Sequence, residues 1–315
     1  MMDIIADVMK SLFNLLIFPG FAFLLFCSWV FDWLDRKIIA RFQGRVGPPW
    51  YQPVADFIKL LGKEDVMPIG SQTFVALLLP VISLASVLTA SLYVPVAGYS
   101  ALSFEGDFIV VLFLLSIPTL AYFLAGWVSV GVYSILGGNR SLLQYFSYEV
   151  PFMLALSGPA IMGGSWQIGQ IVSVQNNLGW FIFFQPLGFV LALIGLIGKL
   201  KRDPLDIPKA KSEIVAGPLT EFTGRKLALW HMTINMQTVV GMFLLVSLFL
   251  GNAQALHDIF GVLVFIVKVL ILLSLLSTAS SLFARLRIDQ LAGFAWKILV
   301  PLSLLQLAFI ILMGV

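Results

Sequence analysis

The sequence predicts an all-α fold: a polytopic membrane bundle of about eight transmembrane helices, plus one short amphipathic helix at the interface. Three observations predict it. Of 315 residues, 60% are hydrophobic and only 11% are charged, against about 25% charged in an ordinary soluble domain; mean hydropathy is +1.00. Apolar runs of about 20 residues recur, each long enough to cross a hydrocarbon core of about 30 Å as a helix. Those runs lack the alternation that a membrane barrel requires. The loops hold no room for a soluble domain, so residues 1–315 read as one integral-membrane domain.

The first run covers about residues 11–31. Acidic Asp3 and Asp7 precede it and no small-residue cleavage site follows, so it reads as a retained helix, not a removable leader. The next loop contains "DRKIIARFQGRVGPPWYQPVADFIKLLGKED". Gly44, Gly47, Pro48 and Pro49 punctuate it, and Pro53 suits a first helical turn. Val54, Phe57, Ile58 and Leu61 then recur at i, i+3, i+4 and i+7, while Asp56, Lys59 and Lys63 point elsewhere. A helix of this kind lies on the headgroups or forms a lid beside a partner site, and the periodicity favours the first.

Runs at about 73–95 and 108–132 give the second and third spans, and about 142–163 the fourth. Glu149 lies about eight residues into the fourth, near 12 Å from its inner end. Pro151 follows, removes a backbone donor and predicts a kink. The fifth span, about 178–198, leads into "KRDPLDIPKAKSEIVAGPLTEFTGRK", which holds six of the nineteen Lys and Arg residues and four of the sixteen acids. Three prolines stiffen this loop, and its interleaved signs read as a docking surface with carboxylates available for ion transfer. Spans at about 232–250, 259–282 and 293–314 complete the set. Lys268 falls near the middle of the seventh, where a charge costs roughly 2.5 to 3.5 kcal/mol even on a lenient scale. Glu149 and Lys268 are therefore expected on an ion pathway, with Glu213 at its inner mouth.

Orientation follows from the cations. Seventeen of the nineteen lie in loops or helix ends on one side, leaving Lys10 on the other and Lys268 inside a helix. That side is expected to be cytoplasmic, with both termini outside the cell membrane. A net charge of +3 is then a topology signal, not a nucleic-acid footprint. Cys27 is the sole cysteine, too few for a disulfide or an iron–sulfur cluster. His231 and His257 fall at opposite helix ends. No phosphate-cradling glycine loop or nucleophile constellation appears, so no catalytic, cofactor-binding or metal residue is assigned.

Four stretches in order resemble one family over nearly the whole chain: the complex I membrane subunit beside the quinone chamber, shared with membrane-bound [NiFe] hydrogenases and ferredoxin-linked relatives. They are "LDRKIIARFQGRVGPPWYQPVADFIKLLGKED", "YSILGGNRSLLQYFSYEVPFML", "DPLDIPKAKSEIVAGPLTEFTG" and "SLFARLRIDQLAGFAWKILVPL". The resemblance places Glu149 at a buried glutamate, Asp206, Glu213 and Glu221 at acidic loop positions, and Arg285, Arg287 and Asp289 at the entry to the last helix. It implies that a hydrophilic redox arm docks on Arg36, Arg41, Arg45, Arg202, Asp203, Asp206, Lys209, Arg285, Arg287 and Asp289. The ion pathway would run through Asp206, Glu213, Glu221, Glu149 and Lys268.

Quinone-reducing members carry a glutamate where Lys209 follows Pro208 here, and "RVGPPWYQP" looks more like the hydrogenase branch. The resemblance therefore implies the non-catalytic junction subunit of a ferredoxin-linked hydrogenase or a sulfur-reducing relative, coupling the arm to proton or sodium translocation. Its [NiFe] centre and iron–sulfur clusters would sit in partners, a hydrogenase-like large subunit and an iron–sulfur small subunit. Antiporter-like and small membrane subunits would flank it in the bilayer. Two alternatives stand beside this: a quinone-chamber subunit of a complex I-type oxidoreductase, and a stand-alone secondary ion transporter, for which an internal repeat is missing.

Overall fold

The computed structural model describes residues 2–252 and 259–312. His257 lies outside them. Among the described residues the regular structure is helical throughout, with no strand. Six helical stretches are long and apolar enough to cross a membrane. They contain α2 (Phe21–Phe42), α4 (Thr73–Tyr93), α5 (Asp107–Val128), α11 (Gly224–Leu245), α12 (Ile259–Leu282) and the pair α13 (Ile288–Phe294) and α14 (Val300–Leu312). Packed among these are α6 (Val132–Met162) and the shorter apolar α9 (Pro186–Leu200). Together they make the polytopic bundle that the apolar runs predict.

The first run does not form one helix from residue 11. It divides into α1 (Met2–Leu16) and α2 at the segment "IFPG". Pro19 has no N–H to continue the ladder. A Cβ on Gly20 would collide with the Leu15 carbonyl, so the chain turns where only glycine fits. Helix α1 buries Asn14 and leaves Val8, Met9, Leu12, Phe13 and Leu16 exposed, an apolar face for lipid. The fourth span begins about ten residues earlier than its apolar run, because the polar stretch 132–141 continues the helix at the inner side. Helix α6 runs through Pro151 and Pro159 without ending. The fifth span starts at Pro186, after α7 (Ile168–Leu178) and the short α8 (Phe181–Phe184), since Gly179 at φ +100° breaks the run. α11 extends through a π-helical turn at Val246–Leu250, and a second such turn, Ala295–Leu299, joins α13 to α14.

Helix α11 is the centre: almost every side chain from Met236 to Phe249 is buried against α2, α4, α5, α9 and α12. The amphipathic segment forms α3 (Gln52–Leu61), with Pro53 in its first turn. Phe57 meets Trp29 at 6.1 Å between ring centroids, while Ile58 and Leu61 stay exposed. Arg36 pins it to α2 by bonding Asp56 at 2.8 Å. The loop after α9 closes the inner face with α10 (Lys211–Ile214) and a single 3₁₀ turn, Gly217–Leu219, laid against α6.

Candidate functional site

Two glycines one turn apart on α9 set up the buried site. A Cβ on Gly195 would come within 2.5 Å of the Phe152 ring, and one on Gly198 within 2.9 Å of Tyr148. Bare backbone here lets α9 lie directly on the aromatic face of α6. Gln144, fully buried on α6, secures the end of α9 by donating to the carbonyls of Gly198 (2.8 Å) and Leu205 (2.7 Å). The next residue, Lys199, is thereby driven inside the bundle; it is 1% exposed.

Lys199 Nζ donates to Glu149 Oε1 at 2.7 Å, Glu149 Oε2 at 3.0 Å and Ser116 Oγ at 3.0 Å. All three ammonium donors are used, and the Phe152 ring lies 5.1 Å below. Glu149 also accepts from Ser116. Desolvating two charges costs several kcal/mol each, so this geometry is what keeps an ion pair tolerable at such burial. The sequence reading places Glu149 inside the bundle and sets Lys268 with it on an ion pathway, names no ion-pair partner for either, and counts Lys199 among the loop cations. Its available signal was local: Lys199 follows Gly195 and Gly198 at helical spacing and precedes apolar Leu200.

Just inside the pair, Lys201 ends α9 in a left-handed conformation, φ 51°, and sets its ammonium 4.5 Å over the Tyr122 ring. Burial, then the neighbouring Lys209 and Lys199, push the Lys201 amine down to about 7. Lys201, Tyr122, Asp35, Arg202, Asp206, Lys209 and His231 line a cavity of about 610 Å³ under the inner loop. Burial raises the Asp206 carboxyl above its ordinary range, with Lys209 opposing. Its Oδ1, like the Tyr122 hydroxyl, is shut from solvent with no hydrogen-bond partner among the described residues. A polar cavity with orphaned acceptors and donors suits water or a polar ligand. A second cavity, about 330 Å³, lies between α2, α3 and α11 and shares Asp32, His231 and Asn235 with the first.

The other sequence candidates separate. Glu213 is on the surface, held by Arg140, whose hydrogen bond and charge lower its pKa. Glu221 rests against Gly131 at the start of α6. Arg202 turns inward to Asp35 at 2.9 Å, and Asp35 also accepts from Ser277. Arg36 is shared between Asp32 and Asp56. Arg41, Arg45, Asp203, Arg287 and Asp289 are exposed. Among the described residues Lys268 meets no carboxylate: Nζ donates to the carbonyls of Leu250 (2.7 Å) and Gly251 (3.1 Å) and lies 4.2 Å over Trp180. No group of three or more metal-ligating side chains occurs among the described residues.

Comparison with known proteins agrees with this architecture. The family model described as NADH dehydrogenase matches residues 14–311. The chain is 36% identical over 296 residues to a subunit of the NADH-quinone oxidoreductase of Dehalococcoides mccartyi, covering 91% of this chain and 82% of the relative. It is 34% identical over 293 residues to the equivalent protein of Carboxydothermus hydrogenoformans, covering 90% and 83%. A chain from the membrane-bound sulfane sulfur reductase, an archaeal respiratory membrane complex, superposes with a TM-score of 0.88 at 29% identity, covering 96% of this chain and 99% of that one. The resemblance read from four loop and helix segments is thus borne out at the level of the family, and the chain belongs to the NADH dehydrogenase family, as a multi-pass helical subunit of a respiratory complex I-like oxidoreductase.

Proposed function

We propose that this chain is the junction at which a hydrophilic redox arm docks on the membrane, in a ferredoxin-linked hydrogen-evolving or sulfur-reducing complex of the cytoplasmic membrane. The observation that carries it is the sealed Glu149–Lys199 pair placed directly beneath a polar cavity at the loop face. Redox turnover above the cavity changes its charge. Lys201, titrating near 7, and Asp206 respond first. A change in their charge then alters how firmly Lys199 holds the Glu149 carboxylate, which sends or admits a proton toward flanking antiporter-like subunits. The [NiFe] centre and iron–sulfur clusters belong to the large and small subunits of the arm.

The sulfane sulfur reductase chain, matched over nearly its full length, supports the sulfur-reducing branch, as do Lys201 and Lys209 on the cavity wall. A second reading, a quinone-reducing complex, is favoured by the names of the curated relatives and by a cavity large enough for a ring headgroup. Purifying the intact assembly decides between them. Nickel with ferredoxin-dependent hydrogen evolution, or ferredoxin-linked sulfur reduction without bound quinone, supports the proposal. Quinone reduction blocked by quinone-site inhibitors overturns it.

A further inference from the structure

The outer wall of α2 carries an open groove of about 350 Å³ that shares no lining residue with either inner cavity. Leu34, Lys37, Ile38, Arg41 and Phe42 line it, all from the last turns of α2, and no other element among the described residues roofs it. At 3.6 residues per turn these positions share one side of the helix. Ser28, Asp32 and Asp35, which line the cavities, fall on another. Measured along α2 from Phe21 at about 1.5 Å per residue, Leu34 lies about 20 Å along, Lys37 about 24 Å and Arg41 about 30 Å. A hydrocarbon core of about 30 Å therefore ends close to the two cations. The groove is apolar toward the bilayer centre and cationic at the headgroup level.

Neither cation meets a carboxylate among the described residues, and no acid lines the groove. Arg41 is exposed. Lys37 is held in place by the loop that follows α2. That loop turns back over it: a Cβ on Gly47 would come within 2.9 Å of the Lys37 Cα, and the Pro48 carbonyl accepts from Trp33 Nε1 at 3.1 Å. The Trp33 ring so fixed carries the Lys37 ammonium 4.8 Å from its centroid. A ring face steadies an ammonium without supplying a lone pair, so the N–H donors stay available to an anion. Exposed Trp50 and Tyr51 continue the loop, as aromatic side chains do at headgroup level.

We propose that this groove binds an anionic phospholipid of the leaflet on the cation-rich side, its phosphate between Lys37 and Arg41 and an acyl chain along Leu34 and Ile38. Charge complementarity selects this occupant. A neighbouring transmembrane helix would cover the apolar stripe but leave two cations desolvated beside it, which is costly without a counter-charge. A zwitterionic lipid brings a cation of its own to the same place. Arginine offers phosphate oxygens a planar fork, and lysine adds a point charge. A free phosphate would use the cations and none of the apolar stripe. Arg41, which the family resemblance gives to the arm, belongs to the bilayer in this reading.

The test uses the intact complex in phosphatidylcholine nanodiscs that carry a small fraction of phosphatidylglycerol with a diazirine in its acyl chain. After irradiation, mass spectrometry should find lipid adducts on residues 34–42. Each cation near an anionic lipid is worth about five-fold in binding, so Lys37→Gln combined with Arg41→Gln should cut those adducts by about 25-fold. Adducts on other spans should stay as they were. Lys37→Arg combined with Arg41→Lys keeps both charges and should keep the adducts. If the double Gln variant loses adducts on every span alike, the charge-retaining variant decides: adducts on 34–42 support the site and their absence overturns it. Equal labelling of 34–42 by a phosphatidylcholine probe of the same chain makes the groove merely apolar and overturns the proposal, as does unchanged labelling in the double Gln variant. Loss of labelling in excess inorganic phosphate would give the cations to the free ion. No lipid adduct on 34–42 in the wild-type complex would give the surface to a protein partner.

Discussion

Lys199 changes the reading of every charge around it. A carboxylate as buried as Glu149 needs a partner, and the sequence names none: it sets Lys268 on the same ion pathway from its mid-span position and leaves Lys199 among the loop cations, because Lys199 sits at a helix end, where lysines ordinarily reach water. Burial of Lys199 depends on Gly195, Gly198 and Gln144, three residues whose roles emerge only when two helices touch. Glu149 itself was legible, since an acid inside an apolar run followed by proline is rare without purpose. The pair gives a prediction with two readouts. Glu149→Gln and Lys199→Met each strand one charge, and breaking a buried pair costs about 3 to 5 kcal/mol, so either single variant should lower the thermal stability of the solubilised complex. The double variant removes both charges and should recover much of that loss. Ion uptake by reconstituted vesicles should fail in all three while acceptor reduction with artificial donors continues. A double variant that regains full pumping along with stability would make the pair structural only.

Elements were legible where a run was uniform and illegible where a break was short. The spans α4, α5 and α12 match their apolar runs closely. Helix α3 followed from four apolar positions, of which Phe57 packs on Trp29 and Ile58 and Leu61 are exposed. By contrast "IFPG" hid the division between α1 and α2, and the wide turns ending α11 and preceding α14 carry no composition signal. The turn at Val246–Leu250 shows what such a break needs. Widening a helix frees its last carbonyls, and in an apolar bundle water cannot take them. Gln175 donates to the carbonyls of Ser247 and Leu248, both at 2.9 Å, and Lys268 takes those of Leu250 and Gly251. Lys268 is thus the cap of α11 reached from α12. Lys268→Met should leave two buried acceptors unpaired, at about 1 to 3 kcal/mol each. Amide hydrogen exchange should rise across residues 246–252 and little elsewhere. Unchanged exchange in that stretch would remove the capping role and return Lys268 to the ion pathway first expected for it.

At the scale of the molecule, the arrangement of passes explains why cations collect where they do. The ends of α2, α5, α9 and α12 and the starts of α4, α6, α11 and α13 lie on one side, joined by the loops that hold both cavities. The opposite side carries the polar but nearly uncharged loops 94–106 and 163–185. Exposed tryptophans mark the two interfaces, Trp127 and Trp296 near one and Trp166 and Trp180 near the other. Among the described residues, this alternation leaves the start of α2 and the end of α14 on the uncharged side. Because positive loops are retained in the cytoplasm during insertion, the cation-rich side should face the cytoplasm and the termini should face out. Two exposed positions test this in a Cys27→Ser background, where the half-buried native thiol cannot contribute. Glu105→Cys, in the loop before α5, should react with a membrane-impermeant maleimide on intact cells. Glu64→Cys, after α3, should react only in inverted vesicles. Labelling of both from the same side would break the alternation of passes, and labelling in the reverse order would put the cavity under the loop after α9 where no cytoplasmic arm could reach it.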